Sequence, residues 1–310
     1  MSVAVVVNNL MKRYGDIIAV DHISFEVKQA EIFGFLGPNG AGKTTTIRIL
    51  TGIIKPDEGT ATIMEHDIER EPLQAKQIMG IVPEMSNAYI DLSAWNNLML
   101  IGELYGVPRK QRIERANKLL ERFGLYDRKD QLVRGFSKGM KQRLILCMAL
   151  INEPAILFLD EPTSGLDVES AKMIREIIMD LNSAGATVFL TTHNMEEANK
   201  LCDRIAIINH GMIAAIDTPE NLRMKSSSLQ SIEVSFDHSL NTNNFAKIPC
   251  VKQIEKMGDK IKLYTSDPGE TLNCIMDYAR SHNMRIITLN TLAPSLEEVF
   301  LKLTQTKREG

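Results

Sequence analysis

Hydrophobic positions along this 310-residue chain fall into strand-length and helix-spaced runs, and their alternation predicts the architecture. Near the start, short apolar runs at residues 4–7, 23–27 and 32–36 read as strands. The third leads directly into Gly37-Pro38-Asn39-Gly40-Ala41-Gly42, which has no hydrophobic periodicity, and a helical pattern follows over residues 43–50. The local order is strand, glycine loop, helix. From about Ser86 to Leu150 the spacing is mostly helical. Asp91 or Ser93 can cap a first helix carrying Trp95, Leu98, Ile101 and Leu104. Pro108 opens a second with Ile113, Ala116, Leu119, Leu120 and Phe123, and Gly124 ends it. A third starts just after Gly139 and runs to the break at Pro154.

Strand signals return at residues 155–159 and 187–192, separated by the helical series Ile174, Ile177, Ile178 and Leu181. Both runs are nearly all apolar, as expected of parallel strands buried on two faces. Residues 204–208 and 212–216 flank Asn209-His210-Gly211, which predicts a hairpin closing a large domain over residues 1–224. The helical stretch of about 86–150 is then an insert within an α/β core. A serine-rich linker follows at 225–231. Strands at 232–236, 261–264 and 285–289, with helices at 271–281 and 295–304, predict a small C-terminal α+β domain over 232–310.

Composition narrows the classes. Charged residues make up 24% and the formal net charge is -3, so no general basic field invites nucleic acid. No stretch reaches the roughly 18 apolar residues of a membrane span, and no export signal opens the chain, so a cytosolic protein is expected. The four cysteines, Cys147, Cys202, Cys250 and Cys274, form no CxxC pair and read as free thiols.

The chemistry lies in two places. Gly37 to Thr44 fits GxxxxGKT, a loop whose backbone N–H groups can cradle phosphates while the next helix adds its positive end. Lys43 can reach the β- and γ-phosphates, and the Thr44 hydroxyl can ligate Mg2+. Leu157-Phe158-Leu159-Asp160-Glu161 carries a carboxylate to the end of an apolar strand, where Asp160 can hold the Mg2+ shell and Glu161 can act as general base for a water. His193 follows the strand at 187–192 and can orient the γ-phosphate or serve as a satisfied structural histidine. Mg-ATP is the ligand these residues imply.

With these residues in order, the chain resembles the nucleotide-binding subunits of ATP-binding-cassette (ABC) transporters over roughly residues 3–217. Phe136-Ser137-Lys138-Gly139-Met140-Lys141-Gln142-Arg143 is similar to the family signature Leu-Ser-Gly-Gly-Gln, with Ser137 and Gly139 fitting and Phe136, Lys138 and Met140 departing. The resemblance implies a P-loop NTPase cassette with a mixed sheet and helical insert. It also implies a dimer in which Ser137 and Gly139 of one subunit close over the ATP of the other. Nucleotide contacts are implied for Gly37, Pro38, Asn39, Gly40, Ala41, Gly42, Lys43, Thr44 and Thr45, with Tyr14 stacking on adenine. Ser164-Gly165-Leu166-Asp167 matches the loop linking the two sites, and His193 the switch histidine. After Pro83 the family has Gln where this chain has Glu84, a carboxylate implied beside the metal.

The tail Ala293-Pro294-Ser295-Leu296-Glu297-Glu298-Val299-Phe300-Leu301 resembles exporter subunits that pair with ABC-2 type permeases. The partners implied are a second cassette, identical or sister, and an integral membrane permease, with the chain peripheral on the cytoplasmic face. A soluble cassette ATPase acting on ribosomes or nucleic acid, and an importer subunit, are the alternative roles.

Overall fold

Polar pairs at Asn8-Asn9 and Asp21-His22 interrupt the first apolar runs, yet the backbone stays extended through both. β1 (Val3–Tyr14) and β2 (Ile17–Lys28) form one long antiparallel hairpin that turns at Gly15, φ 58°. The interruptions are register shifts: the ladder slips between Val7 and Leu10, with Asn9 at φ 50°, as a bulge requires. Hydropathy therefore reveals only the regular halves of each strand. The computed structural model describes residues 2–84, 88–225, 230–237, 245, 251–292 and 296–305.

Two compact units divide the chain at Pro219 and Glu220. In the first, β3 (Ile32–Leu36) leads through the glycine loop into α1 (Lys43–Leu50). Then come β4 (Glu58–Ile63), β5 (His66–Asp67), α2 (Pro72–Gln77) and β6 (Met79–Val82). The insert holds α3 (Ala94–Leu104), α4 (Arg109–Arg122) and α5 (Lys138–Leu150). Ser93 caps α3, accepting the Asn96 N–H at 3.1 Å. Ser137 caps α5, so that helix includes Gly139. The unit closes with β7 (Ile156–Asp160), α6 (Val168–Ser183), β8 (Thr187–Thr192), α7 (Met195–Leu201), β9 (Arg204–Asn209) and β10 (Met212–Asp217).

The strands form a four-stranded antiparallel sheet, β2-β1-β4-β5, and a six-stranded sheet, β10-β9-β3-β8-β7-β6. Within the second, β6, β7, β8, β3 and β9 run parallel and β10 is the antiparallel edge. The expected hairpin β9–β10 pairs Asn209 with Met212 across His210 and Gly211, at φ 47° and 76°, the doubly positive turn that suits strand twist. Packing between the sheets is aromatic. Phe25 of β2 lies 5.6 Å from both Phe33 and Phe35 of β3 and 6.0 Å from Phe189 of β8. Because five strands are parallel, the residues following β3, β6, β7 and β8 emerge along one edge. The fold thus delivers Gly37, Glu84, Glu161 and His193 to the same side of the sheet.

The second unit begins within α8 (Pro219–Lys225) and contains β11 (Gln230–Phe236), β12 (Val251–Met257), β13 (Lys260–Thr265), α9 (Pro268–Ser281), β14 (Ile286–Leu292) and α10 (Leu296–Gln305). Its antiparallel sheet has the order β12-β13-β11-β14. Alternate residues Ile232, Val234 and Phe236 pack with Ile261, Leu263, Ile275 and Ala279 in a separate core. The polar strand β12 gives no alternating signal, so hydropathy misses it. Ser86, the linker centre at 226–229, Cys250 and Ala293-Pro294-Ser295 lie outside the described residues. Cys147 and Cys202 are buried free thiols, and burial pushes both well above the usual thiol range.

Candidate active site

The glycine loop is shaped by close approach. A Cβ on Gly42 would come 2.3 Å from the Ala19 carbonyl oxygen, and φ at Gly42 is 106°, which a side chain rarely tolerates. A Cβ on Gly37 would meet the Ile208 carbonyl oxygen at 2.4 Å. Between them Pro38, Asn39 and Gly40 are exposed, while Ala41 is buried and binds back, its N–H donating to the Pro38 oxygen at 3.2 Å. Gly42 is the N-cap of α1 and supplies no side chain to that helix end. Lys43 is buried at 6% exposure, and Thr44 and Thr45 are half-buried.

Lys43 Nζ donates to the Gly37 oxygen at 2.8 Å and the Pro38 oxygen at 3.1 Å, and lies 3.3 Å from Glu161 Oε1. The other carboxylate oxygen, Glu161 Oε2, is 2.8 Å from His193 Nδ1. Three residues predicted from separate motifs are therefore joined in one chain of contacts. Glu161 is 8% exposed and has φ 50°, a left-handed conformation that costs energy in a non-glycine residue. The strained turn starts immediately after β7 and is pinned by Thr191, whose backbone oxygen accepts the Glu161 N–H at 3.2 Å and whose Oγ1 lies 3.1 Å from it.

Asp160 is 3% exposed and accepts a hydrogen bond from Thr191 Oγ1 at 2.5 Å and a longer one from Thr44 Oγ1 at 3.5 Å. A hydroxyl and a carboxylate are hard oxygen donors of the kind Mg2+ selects. Among the described residues no three His, Cys, Asp or Glu side chains are grouped to hold a metal. Mg2+ sites commonly use one or two protein oxygens and take the rest from water and phosphate. Thr191→Val keeps the volume but strips Asp160 of a hydroxyl donor. It should destabilise the chain by about 1.5–3 kcal/mol, the worth of a hydrogen bond to a charged group. A lower urea midpoint at an unchanged slope would register this loss.

The other predicted residues stand apart in the single chain. Ser137 is exposed at the start of α5, its Oγ accepting the Met140 N–H at 3.2 Å, and Gly139 packs so that a Cβ would meet Ser170 Oγ at 2.4 Å. Tyr14 ends β1 at 47% exposure with Lys12 Nζ 5.9 Å from its ring centre. Glu84 is exposed after β6. Among the described residues no hydrogen bond or ion pair connects these four to Lys43, Asp160 or Glu161. Asp167 caps α6, and hydrogen bonds from Ser170 to its carboxylate hold its carboxyl below the usual range.

Sequence reasoning missed the threonines. Thr191 and Thr192 are completely buried at the end of an apolar strand, and two polar residues closing such a run were the available signal.

A family profile described as ABC transporter matches residues 20–164, and one described as ATP-binding protein DrrA1-3-like, C-terminal domain, matches residues 218–304. Over 304 residues the chain is 38% identical to the Nod factor export ATP-binding protein I of Cupriavidus metallidurans, covering 98% of each. It is 36% identical over 306 residues to the linearmycin resistance ATP-binding protein of Bacillus subtilis, covering 96% of each. Among solved structures, a dimeric ATP-binding cassette in a post-hydrolysis state, bound to ADP and Pi, aligns with a TM-score of 0.62 at 26% identity, over 69% of this chain and 98% of that one.

Proposed function

This chain belongs to the ATP-binding subunits of ABC transporters, in the export group with a DrrA-like C-terminal domain, and on that premise we propose that its Lys43–Glu161–His193 site hydrolyses Mg-ATP to drive export through a separate ABC-2 type permease. The observation carrying this reading is the division of Glu161, with one oxygen toward Lys43 and the other toward His193.

In the proposed cycle the loop from Gly37 to Thr45 takes the phosphates and Tyr14 stacks on the adenine. For Lys43 to meet a phosphate oxygen, its ammonium must give up at least one of its three partners, and the carboxylate of Glu161 is then free to face a water. Glu161 takes a proton from that water as its oxygen bonds to the γ-phosphorus and the bond to the β–γ bridging oxygen breaks, leaving ADP and phosphate. His193 steadies the second oxygen of Glu161, and Lys43 balances charge that gathers on the transferred group. Thr44, Asp160 and Glu84 would hold Mg2+, whose charge would neutralise phosphate oxygens. Ser137 and Gly139 act in trans, covering the nucleotide of the second cassette, whether an identical copy or a sister subunit.

Among the described residues no helix is long and apolar enough to cross a membrane, and the proposed cycle works with a separate permease. We place its docking groove between the helical insert and the Glu84 loop, with the chain at the cytoplasmic face of the membrane. The unit from Glu220 onward is the accessory domain, and no nucleic acid takes part. Tagged chain isolated from its native membranes in Mg-ATP should bring down a multi-span membrane protein in stoichiometric amount. Recovery only with ribosomes or nucleic acid would reject export.

A further inference from the structure

The buried carboxylate of Glu197 has no part in the cycle above, although it lies beside it. Glu197 is 2% exposed and is the third residue of α7. Its Oε1 accepts from Thr163 Oγ1 at 2.6 Å and its Oε2 accepts from Thr192 Oγ1 at 2.8 Å. Thr163 stands two residues after Glu161, and Thr192 immediately precedes His193. One side chain thus ties together the two loops that carry the base and its histidine.

Local helix chemistry alone would arrange these atoms differently. Asn194 caps α7 by accepting the Glu197 N–H at 3.0 Å, and Asn194-Met195-Glu196-Glu197 has the spacing of a capping box. In that motif the third-position glutamate reaches back to the backbone N–H of the cap residue. Here the Asn194 N–H donates instead to Thr192 Oγ1, at 2.9 Å. Both oxygens of Glu197 are consequently given to the catalytic loops, while the helix start is capped without them. The Thr192 hydroxyl accepts from Asn194 and donates to Glu197, so the tie is fully satisfied in a buried setting.

We infer that Glu197 is a positioning residue for ATP hydrolysis, holding the Glu161 and His193 loops in register through Thr163 and Thr192. The inference rests on Glu161 being the base. Among the described residues no hydrogen bond or ion pair joins the Glu197 carboxylate to the phosphate loop or α1, and the Gly37 N–H meets the backbone oxygen of Thr192 at 3.3 Å and not the hydroxyl that Glu197 holds, so Glu197 acts chiefly on turnover. A misplacement of reacting groups by about 1 Å can cost roughly a hundredfold in rate.

The test uses the full chain with its copurified membrane partner, following phosphate release and the Michaelis constant for ATP. Glu197→Ala should lower kcat by roughly 30-fold with KM within about twofold. Glu197→Gln, which keeps one acceptor oxygen, should recover part of the loss. Thr163→Val should lower kcat by about fivefold, and adding it to Glu197→Ala should cause no further loss, because both remove the same tie. Should Glu197→Ala fail to fold, Thr163→Val alone decides, since it matches volume at a half-buried site. Unchanged kcat in Thr163→Val, or losses that multiply in the double variant, would overturn the inference. Glu161→Gln measured alongside separates the failures. If Glu161→Gln turns over normally, the reading of the site falls. If Glu161→Gln is inactive while the Glu197 and Thr163 variants are unimpaired, only the positioning role falls.

Discussion

Glu161→Gln is expected to reduce ATP turnover by roughly 10²- to 10⁴-fold, the range that a positioned general base contributes. Its volume is preserved at a site only 8% exposed, so the fold should be kept. The main-chain anchors of the turn, from the Glu161 N–H to Thr191, are also unaffected by the change. What disappears is the negative charge shared between Lys43 and His193. Because Glu161 Oε1 lies 3.3 Å from Lys43 Nζ, that charge competes with a phosphate for the ammonium. Removing it should make nucleotide bind more tightly even as hydrolysis stops. Phosphate release and titration with a fluorescent ATP analogue on the same preparation would show the two effects moving in opposite directions. Turnover within about threefold of the parent would take Glu161 out of the base role. Weaker binding would mean that its charge supports the loop.

Much of this site was legible because its parts follow buried parallel strands. Such strands have apolar runs with abrupt polar ends, and Asp160-Glu161 and His193 stand at two such ends. The glycine loop was equally clear, since a Cβ on Gly37 or Gly42 would meet a backbone oxygen at 2.4 or 2.3 Å. Less visible were elements whose stability comes from neighbours and not from their own pattern. The outer halves of β1 and β2 are carried across bulges by ladder pairing. Strand β12 reads as polar because it is an edge whose side chains are largely exposed. The roles of Thr163, Thr191, Thr192 and Glu197 depend on hydrogen bonds between residues as many as 34 positions apart. Hydropathy carries no information about such pairings. Conversely, the proposed nucleotide contacts of Ser137 and Gly139 rest on the signature resemblance, and in one chain those residues cap and pack a helix with no hydrogen bond or ion pair to Lys43 among the described residues.

Lys43→Met should abolish nucleotide binding for practical purposes, raising Kd by roughly 30-fold to a few thousand-fold. That range corresponds to the 2–5 kcal/mol lost when one member of a buried, hydrogen-bonded charge pair is truncated. The size follows from the burial of the ammonium, which is 6% exposed and makes three polar contacts. Methionine matches the length of the side chain but donates nothing. The phosphate loses its only buried lysine partner in the loop, and the Gly37 and Pro38 oxygens lose a donor that orders the turn. Backbone N–H groups of the loop remain, so residual weak binding is expected at millimolar nucleotide. Thermal unfolding separates the two consequences. The parent should gain stability with added Mg-ATP as RT ln(1 + [L]/Kd) requires, while the variant should show almost no shift until the nucleotide is millimolar. A ligand-induced shift equal to the parent's would show that the backbone alone holds the phosphates, and that Lys43 serves chiefly to neutralise Glu161.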